Sequence, residues 1–338
     1  MRIVVDAMGS DNCPVPDVAG AVLAARELGS TIILVGDERR VKAELRKHDT
    51  TDLKIEVVHA NEAISMHDKP STVGKGKPNS SMHVGMNLVK NGQADGFITA
   101  GNTGAALAIA MLNTLHRIPG VKRPALSFIL RVGGKNVILL DVGANADCKA
   151  EWLAQFAIMG EIYARQGLGL EKPRIGILSN GEEEGKGNSL IHETTDMLKE
   201  LPLNFVGNVE PREVFEDHAD VVVSDGFVGN ILIKSLEGAT SLLLNLIRKE
   251  IKSSPITTLG GVLARPAFNR VRNEIDPSEI GGAPLLGVNG VVIIGHGRSN
   301  DIAIKNCVRQ AERAAAAGLI DAIRERLAQT PTSETHYG

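Results

Sequence analysis

Six short polar segments, each placed after a predicted β-strand, are the part of the sequence that could do chemistry. They are rich in Gly, Asn, Ser, Thr and Asp, and they span residues 6–11, 99–104, 141–145, 179–188, 224–230 and 295–300. In open α/β sheets, ligands bind beyond the carboxyl ends of the strands, beside helix N-termini. Backbone N–H groups and amide side chains gathered at such an edge suit an oxyanion, so the pattern predicts an anion-binding cleft.

The segment Thr99–Gly104 is the strongest candidate for a phosphate cradle. Gly101 and Gly104 allow the backbone to approach a ligand closely, and Asn102 and Thr103 add hydrogen-bond donors. A helix that starts near Ala105 directs its positive end at the same place. The candidate binding residues in the other five segments are Asp6, Gly9, Asn145, Asn180, Asp225 and His296.

Some of these residues also have a purely structural interpretation. Asp6, Asp141 and Asp225 each end a predicted strand, where a carboxylate either binds a metal ion or caps the loop that follows. His296 lies in a Gly-His-Gly loop, where its ring either contacts a ligand or only stabilises the loop by hydrogen bonding within it. Cys148 has no histidine close to it in sequence and is predicted to be a packed thiol.

Lys186 lies in a glycine-flanked loop after a predicted buried strand, with three glutamates before it. It either extends into solvent or neutralises a phosphate or a developing negative charge. The common nucleotide and esterase signatures are missing from the chain: no G-x-G-x-x-G follows a strand, and there is no Walker A loop and no G-x-S-x-G.

The elements that must position these residues are short apolar runs alternating with helical patterns. Continuous apolar runs are typical of strands covered on both faces, so we predict a doubly wound, mostly parallel α/β sheet. The predicted strands are Arg2–Asp6, Thr31–Val35, Lys54–Val58, Ala94–Thr99, Ala125–Leu130, Val137–Asp141, Arg174–Ser179, Leu203–Gly207, Asp220–Ser224 and Gly290–Gly295. One apolar stripe from Ile304 to Leu327 predicts a single C-terminal helix.

The composition of the 338 residues excludes several classes of protein. Lys and Arg number 37 against 40 Asp and Glu, a net charge of −3, which argues against a nucleic-acid-binding protein. Three widely spaced cysteines without a C-x-x-C favour a reduced, cytoplasmic protein without structural zinc. No apolar stretch approaches the roughly 20 residues that a bilayer span needs, so no transmembrane helix is expected.

One region departs from the alternating pattern. A long apolar helix is predicted over 236–252, followed by a connection over 253–268 that contains Gly, Pro and isolated apolar residues, with Arg265, Arg270 and Arg272 beside it. This connection is either an ordinary loop after a buried helix or an apolar hairpin tip that dips into an anionic membrane surface. The predicted organisation is one α/β domain over 1–330, a helical hairpin insertion at about 236–275, and a disordered tail over 331–338.

The polar segments together resemble those of the bacterial phosphate acyltransferases, which transfer an acyl group from acyl-acyl carrier protein to phosphate. The motifs that carry the resemblance, over residues 1 to about 325, are Asp6-Ala7-Met8-Gly9, Ala100-Gly101-Asn102-Thr103-Gly104-Ala105, Asp141-Val142-Gly143-Ala144-Asn145, Gly181-Glu182-Glu183, Lys186-Gly187, Asp225-Gly226-Phe227-Val228-Gly229-Asn230, Gly281–Gly290 and Gly295-His296-Gly297. The resemblance implies a fold like that of isocitrate and isopropylmalate dehydrogenases, a homodimer, and no cofactor or metal.

The resemblance also implies roles for particular residues. It assigns Lys186 and Asn230 to catalysis, and it favours the membrane interpretation of the hairpin. The implied membrane contacts are Ile256, Leu259, Val262, Leu263 and Phe268. The implied partners are acyl-acyl carrier protein, inorganic phosphate, the membrane surface and the downstream glycerol-3-phosphate acyltransferase, so the protein is expected to be cytoplasmic and peripherally membrane-associated. The alternatives are a phosphotransacetylase or phosphotransbutyrylase acting on acyl-coenzyme A, a decarboxylating hydroxyacid dehydrogenase, and a non-catalytic scaffold at the membrane.

Overall fold

The computed structural model describes residues 1–275 and 277–329, and within them eleven strands form one mixed, mostly parallel sheet. The strands are β1 Arg2–Asp6, β2 Thr31–Gly36, β3 Ile55–His59, β4 Gly96–Thr99, β5 Ala125–Val132, β6 Lys135–Leu140, β7 Arg174–Leu178, β8 Asn204–Val209, β9 Val221–Val223, β10 Gly282–Leu286 and β11 Val291–Gly295. Their order in the sheet is β3-β2-β1-β4-β11-β10-β5-β6-β9-β7-β8. The tail predicted over 331–338 lies outside the described residues.

Helices cover both faces of this sheet and form an apolar core on each face. They are α1 Val15–Leu28, α2 Glu38–Leu45, α3 Pro70–Gly76, α4 Ser81–Lys90, α5 Thr103–Ala108, α6 Ala150–Ile162, α7 Ser189–Glu200, α8 Gly226–Ile251, α9 Pro255–Ile275, α10 Pro277–Ile280, α11 Asp301–Ala316 and α12 Leu319–Gln329. The predicted doubly wound α/β architecture is confirmed.

All ten predicted strands are present, with ends that agree within two residues, and one strand was missed. The missed strand, β10, pairs antiparallel with both β11 and β5. Its Pro284 argues against a strand in sequence, because proline has no N–H to donate to a neighbour. The Pro284 carbonyl nevertheless accepts a hydrogen bond from Ser127 Oγ at 2.8 Å, which ties β10 to β5.

The prediction of a single C-terminal helix is wrong. The chain forms α11 and α12 instead, and Gly318 between them has a left-handed backbone with φ of +62°. A left-handed residue cannot continue a right-handed helix, and glycine adopts that conformation without steric cost. The apolar stripe continues across the break, because Ile304 and Val308 before it and Leu319 and Ile323 after it are all buried.

The hairpin is present, but the connection predicted over 253–268 is mostly helix. The turn is short, and α9 starts at Pro255, where proline suits the first position of a helix. Ser254 precedes it, and its Oγ accepts a hydrogen bond from Thr257 N at 3.2 Å. Among the described helices, α8 alone is long and apolar enough to cross a membrane by length and composition. Its first turn packs on the sheet, since a Cβ at Gly229 would overlap the Asp141 carbonyl oxygen.

The fully buried carboxylate of Asp141, directly after β6, joins three parts of the chain. Its Oδ1 accepts hydrogen bonds from the backbone N–H groups of Leu126 at 3.0 Å, Gly143 at 3.1 Å and Ala144 at 3.0 Å. Its Oδ2 accepts two from Asn145, from N at 2.8 Å and from Nδ2 at 2.9 Å. Burial raises the pKa of Asp141, and these donors oppose that rise by stabilising the charged form.

The same network reaches α8, because the Asn145 carbonyl accepts a hydrogen bond from Gly226 N at 2.8 Å. One carboxylate therefore fixes the start of β5, the loop after β6 and the first turn of α8 relative to one another.

Removing this carboxylate should destabilise the whole fold. We expect Asp141→Ala to lower the free energy of unfolding by about 3 kcal/mol, because it leaves buried N–H groups without an acceptor. Asp141→Asn, which keeps one carbonyl oxygen, should lose less. Urea denaturation measures both, with Asp147→Ala, an exposed position on the same loop, as the control. An Asp141→Ala midpoint equal to that of the control would contradict this role.

Candidate active site

A cleft of about 910 Å³ opens between α5 and α8, over the central strands β5 and β10. The carboxyl ends of β4 and β11 lie at the opposite edge of the sheet from those of β6, β7 and β9, because β10 pairs antiparallel with β11 and β5, and β5 pairs antiparallel with β6. The expectation that all six polar segments gather at one edge is therefore wrong.

Six of the predicted site residues line the cleft: Gly101, Asn102, Thr103, Gly104, Asn230 and His296. The first four come from the start of α5, Asn230 from the first turn of α8, and His296 from the loop after β11. The sheet therefore brings together residues that lie more than one hundred positions apart in the sequence.

Asn102 orders the cradle and has no amide hydrogen left for a ligand, contrary to the expectation that it is a ligand donor. Its Oδ1 caps α5 by accepting a hydrogen bond from Ala105 N at 3.0 Å. Its Nδ2 donates to the carbonyls of Ser65 at 3.3 Å, Met66 at 3.2 Å and Asp68 at 3.0 Å. The side chain thus pins the 65–68 loop against the start of α5.

The donors that remain available at the cradle are mainly backbone groups. Within the described part of the chain, the N–H groups of Thr103 and Gly104 have no hydrogen-bond partner, as expected for the first turn of a helix. Gly104 is required here, because a Cβ would lie 2.6 Å from Pro70 Cγ. Together these N–H groups offer a site for an oxyanion.

Two cations line this cleft among the described residues: Lys234, which pairs with Glu237, and Arg298, which sequence reasoning did not single out. The exposed guanidinium of Arg298 lines the cleft and makes no hydrogen bond or ion pair with the residues that the structure describes. The available signal was its position in the polar segment after β11, next to His296. A guanidinium without a partner, in the same cleft as unpaired N–H groups, is suitable for binding phosphate.

His296 fits both of its interpretations. Its Nδ1 accepts a hydrogen bond from Arg298 N at 3.1 Å, and its carbonyl accepts one from Ser299 N at 2.8 Å, so it organises the loop. The ring is exposed and lines the cleft. Since Nδ1 is the acceptor, the neutral ring carries its proton on Nε2 and can donate it to a ligand.

The strand-end carboxylates cap loops, which was the structural alternative. Asp6 is buried and accepts hydrogen bonds from Met8 N at 3.0 Å and Thr99 Oγ1 at 2.8 Å, and burial raises its pKa. Asp225 caps α8 by accepting hydrogen bonds from Phe227 N at 2.9 Å and Val228 N at 2.8 Å. The described residues contain no group of three or more His, Cys, Asp and Glu side chains placed to hold a metal ion.

Gly9 and Asn145 do not line the cleft, and both support the packing of the loops around it. A Cβ at Gly9 would lie 2.8 Å from Thr99 Oγ1 and 3.0 Å from Gly101 N, so glycine allows the first loop to pack against the cradle. Asn145 Nδ2 donates to the Pro124 carbonyl at 2.8 Å, in addition to its bond with Asp141.

Lys186 and Asn180 lie on the loop after β7, and the structure does not place them on the cleft wall. Asn208 Nδ2 holds this loop by donating to the carbonyls of Glu183 at 2.9 Å and Lys186 at 3.3 Å. The Lys186 side chain is exposed, and its ammonium group forms no ion pair within the described ranges. Because β7 pairs with β9, which leads into α8, this loop and Asn230 share one edge of the sheet.

Cys148 is a packed thiol, as predicted. It contacts the apolar core, its Sγ donates to the Asn145 carbonyl at 3.5 Å, and burial raises the pKa of the thiol to about 12. A thiol with such a pKa stays protonated at neutral pH and is a poor nucleophile.

The rest of the lining is mixed, and its charged members are Asp11, Lys234 and Glu237, of which Lys234 Nζ pairs with Glu237 Oε2 at 2.8 Å. Its apolar part includes Leu126 and Phe128 of β5, Ala283 of β10, Leu107 of α5 and Ile233 of α8. The arrangement combines an anion site at strand ends with an apolar surface on strand bodies, and it can therefore hold a reactant that has one charged end and one hydrocarbon end.

Comparison with known proteins identifies relatives that cover almost the whole chain. The family model described as "Fatty acid synthesis protein" matches residues 1–322. A phosphate acyltransferase of Geobacter sp. (strain M21) is 47% identical over 97% of this chain and 93% of that protein. A phosphate acyltransferase of Acidobacterium capsulatum is 49% identical over 94% of each.

Solved structures support the fold. EutD phosphotransacetylase from Staphylococcus aureus superposes with a TM-score of 0.59 at 20% identity and covers 94% of each chain. A 4-hydroxythreonine-4-phosphate dehydrogenase from Klebsiella pneumoniae superposes with a TM-score of 0.52 at 13% identity and covers 93% of this chain and 98% of that one. At these identities the likeness concerns architecture alone. The sequence matches are far stronger, and on them the chain belongs to the fatty acid synthesis protein family, alongside relatives that are phosphate acyltransferases.

Proposed function

We propose that the cleft transfers a fatty acyl group from acyl-acyl carrier protein to inorganic phosphate, giving an acyl phosphate for phosphatidic acid and phospholipid synthesis. Acyl transfer to phosphate follows from the family; the carrier-protein donor and the residue roles are the proposed part. The proposal rests on one observation: unpaired hydrogen-bond donors lie in the same cleft as an apolar floor formed by Leu126, Phe128 and Ala283. Thr103 N–H, Gly104 N–H and Arg298 suit phosphate, and the floor suits a hydrocarbon chain.

The reaction needs little from the protein beyond position and charge stabilisation. A phosphate oxygen held at the cradle attacks the thioester carbonyl and forms the new C–O bond, the C–S bond breaks, and the carrier leaves as a thiolate. A thioester is already activated and phosphate is already an anionic nucleophile, so no acyl-enzyme is required. Cys148 does not line the cleft, and burial raises the pKa of its thiol, so this cysteine is not placed to form an acyl-enzyme.

Asn230 and Lys186 are proposed to stabilise the negative charge that develops on the carbonyl oxygen. Asn230 lines the cleft opposite the cradle and carries a neutral amide donor. Lys186 shares the same sheet edge, and its ammonium group is not held by an ion pair with any described residue. To act in the reaction, the Lys186 side chain has to extend to the cleft from the loop after β7. Gly185 and Gly187 are its neighbours in that loop.

The protein is proposed to be cytoplasmic and to attach to the membrane surface through the hairpin. Three apolar residues of α9, Ile256, Leu259 and Leu263, recur at helical spacing and are 84%, 64% and 75% exposed. Val262 and Phe268 are also exposed, and the arginines Arg265 and Arg270 lie beside them. Apolar residues flanked by cations suit an anionic bilayer surface. The Arg272 side chain lies outside the described part.

Two further partners belong to this proposal. A homodimer is expected, and a monomer in sedimentation velocity of the purified protein would contradict it.

The acyl phosphate is expected to pass to the glycerol-3-phosphate acyltransferase. A coupled assay in membranes that carry that enzyme should then form lysophosphatidic acid from acyl-acyl carrier protein, phosphate and glycerol 3-phosphate, and no such product would oppose the link.

The donor is tested by trapping acyl phosphate with hydroxylamine. Purified protein should form the hydroxamate from acyl-acyl carrier protein and phosphate, and omission of phosphate should abolish it. Acyl-coenzyme A and acetyl-coenzyme A in parallel reactions should give lower kcat/KM values. Equal or higher values with the coenzyme A thioesters would favour a phosphotransacylase, and no acyl phosphate from any donor would refute the proposed activity.

The assigned roles predict different kinetic defects. Asn230→Ala and Lys186→Ala should each lower kcat by about 10²–10³, the loss seen when one oxyanion donor is removed. Arg298→Ala should instead raise the KM for phosphate about tenfold, because a lost binding contact affects ground state and transition state alike.

Matched controls for these variants are Lys172→Ala and Arg39→Ala, both at exposed positions remote from the cleft. Steady-state kinetics with varied phosphate separates the two defects. Wild-type kcat in both Asn230→Ala and Lys186→Ala would remove them from the mechanism, and an unchanged KM for phosphate would remove Arg298.

Membrane attachment is tested by sedimentation with lipid vesicles. The double variant Leu259→Ser, Leu263→Ser should have an affinity for phosphatidylglycerol vesicles at least about tenfold lower than that of wild type, because two apolar side chains no longer enter the bilayer surface. Activity on carrier-protein substrate in the absence of vesicles should persist. Leu112→Ser, an exposed leucine outside the hairpin, is the matched control. Equal binding by the control and the double variant would disprove attachment through α9.

A further inference from the structure

The apolar floor of the cleft consists of three strand residues: Leu126, which is buried, and Phe128 and Ala283, which are partly exposed. Leu126 and Phe128 are two positions apart on β5 and therefore point to the same side of the sheet. Ala283 lies on the adjacent strand, β10, and packs with the same core cluster. Phe128 and Ala283 are only half-buried, although both belong to central strands.

A central sheet face of this kind is normally covered by a helix. Here Leu107 of α5 and Ile233 of α8 line the two sides of the apolar floor, and the cleft opens between these two helices. An apolar surface bounded by polar groups is characteristic of a groove that is completed by a ligand. The polar boundary is the cradle at Thr103 and Gly104.

The groove has a wall at Ile129 and Ile280. Both residues line the cleft and also a smaller cavity of about 240 Å³, and Ile129 belongs to the core on the other face of the sheet from Leu126 and Phe128. That second cavity is polar, with Arg309, Gln310 and Arg313 among its lining residues. Hydrocarbon that passed the wall would displace water from charged groups, so the wall is a suitable limit for an apolar ligand.

We propose that the apolar floor is the acyl-chain subsite. The alkyl chain lies over Leu126, Phe128 and Ala283. Its thioester carbonyl is at the cradle, and its other end is directed to the wall at Ile129 and Ile280. The assignment rests on the proposed function, which requires a fatty acyl substrate. Ala283 and Phe128 are then specificity-determining residues, because the small side chain provides depth and the large one limits it. Neither residue touches the reacting atoms.

Burial of one methylene group is worth about fourfold in binding. A subsite of this kind therefore makes kcat/KM rise with chain length until the chain reaches the wall. Filling the groove at Ala283 should end that rise at a shorter chain, and trimming Phe128 should extend it.

The test is the chain-length profile of purified full-length protein, measured as kcat/KM for acyl phosphate formation from carrier-protein thioesters of 4 to about 18 carbons. Ala283→Phe should lower kcat/KM for the long chains about tenfold or more and leave butyryl transfer within about twofold of wild type. Phe128→Ala should move the optimum to longer chains. Ala316→Phe introduces the same side chain at an exposed position of α11 and should leave the profile unchanged.

The outcomes separate this subsite from the function on which it rests. If wild-type protein forms no acyl phosphate from any thioester, the proposed function fails. If wild-type protein is active and Ala283→Phe and Phe128→Ala keep its profile, the subsite assignment is overturned. An equal loss at every chain length in both variants would also overturn it, since that pattern indicates general damage. Thermal unfolding confirms that each variant is folded, and Phe128→Ala provides an independent result where Ala283→Phe does not fold.

Discussion

A single buried carboxylate sets the geometry on which the cleft depends. Asp141 accepts hydrogen bonds from Leu126, from the Gly143–Asn145 loop and from the Asn145 side chain, and the Asn145 carbonyl accepts one from the first residue of α8. Leu126 belongs to the floor of the cleft, and α8 carries Asn230 at its side. Apolar packing is not directional and could not fix the relative positions of these segments so closely. Hydrogen bonds to a charged acceptor are directional and strong, and burial strengthens them.

The side chains that most resemble ligand-binding groups are largely used to hold the protein's own backbone. Asp6, Asp225, Asn102 and Asn145 all satisfy loop or helix N–H groups, and Asn102 also satisfies three carbonyls. This follows from the position of the site, because every helix that starts at the sheet edge exposes N–H groups that need acceptors. What remains for a ligand is a small set: the N–H groups at the start of α5, His296, Asn230 and Arg298.

The sequence predicts the strands of the sheet and several cleft residues well because both depend on local signals. Apolar runs mark strands, and polar residues after them mark strand ends. That these ends lie at two edges of the sheet depends on the antiparallel pairing of β10 with β11 and β5 and of β5 with β6. The errors concern properties that depend on distant contacts. The β10 strand contains a proline and a glycine and forms because β5 and β11 provide partners on both sides. The roles of Asn102 and Asn145 could not be predicted, because their acceptors include Asp68, 34 positions away, and Pro124, 21 positions away. Arg298 was missed because only the fold shows that it lines the same cleft as the start of α5.

The chemistry of the proposed reaction also explains why a doubly wound sheet suits it. The reactants are a strongly hydrated anion and a hydrocarbon chain, and they must meet at one carbonyl carbon. Transfer of the anion into an apolar cleft is costly unless donors replace its water, and transfer of the chain out of water is favourable. In this fold the change from apolar to polar surroundings occurs where each strand ends: β4 is wholly buried up to Thr99, and four residues later Thr103 presents a free N–H. The boundary between the two environments is therefore a few residues wide, comparable to the distance between a bound phosphate and the first methylenes of an acyl chain. A thioester carbonyl placed at that boundary has its nucleophile on the polar side and its chain on the apolar side, without further rearrangement of the protein.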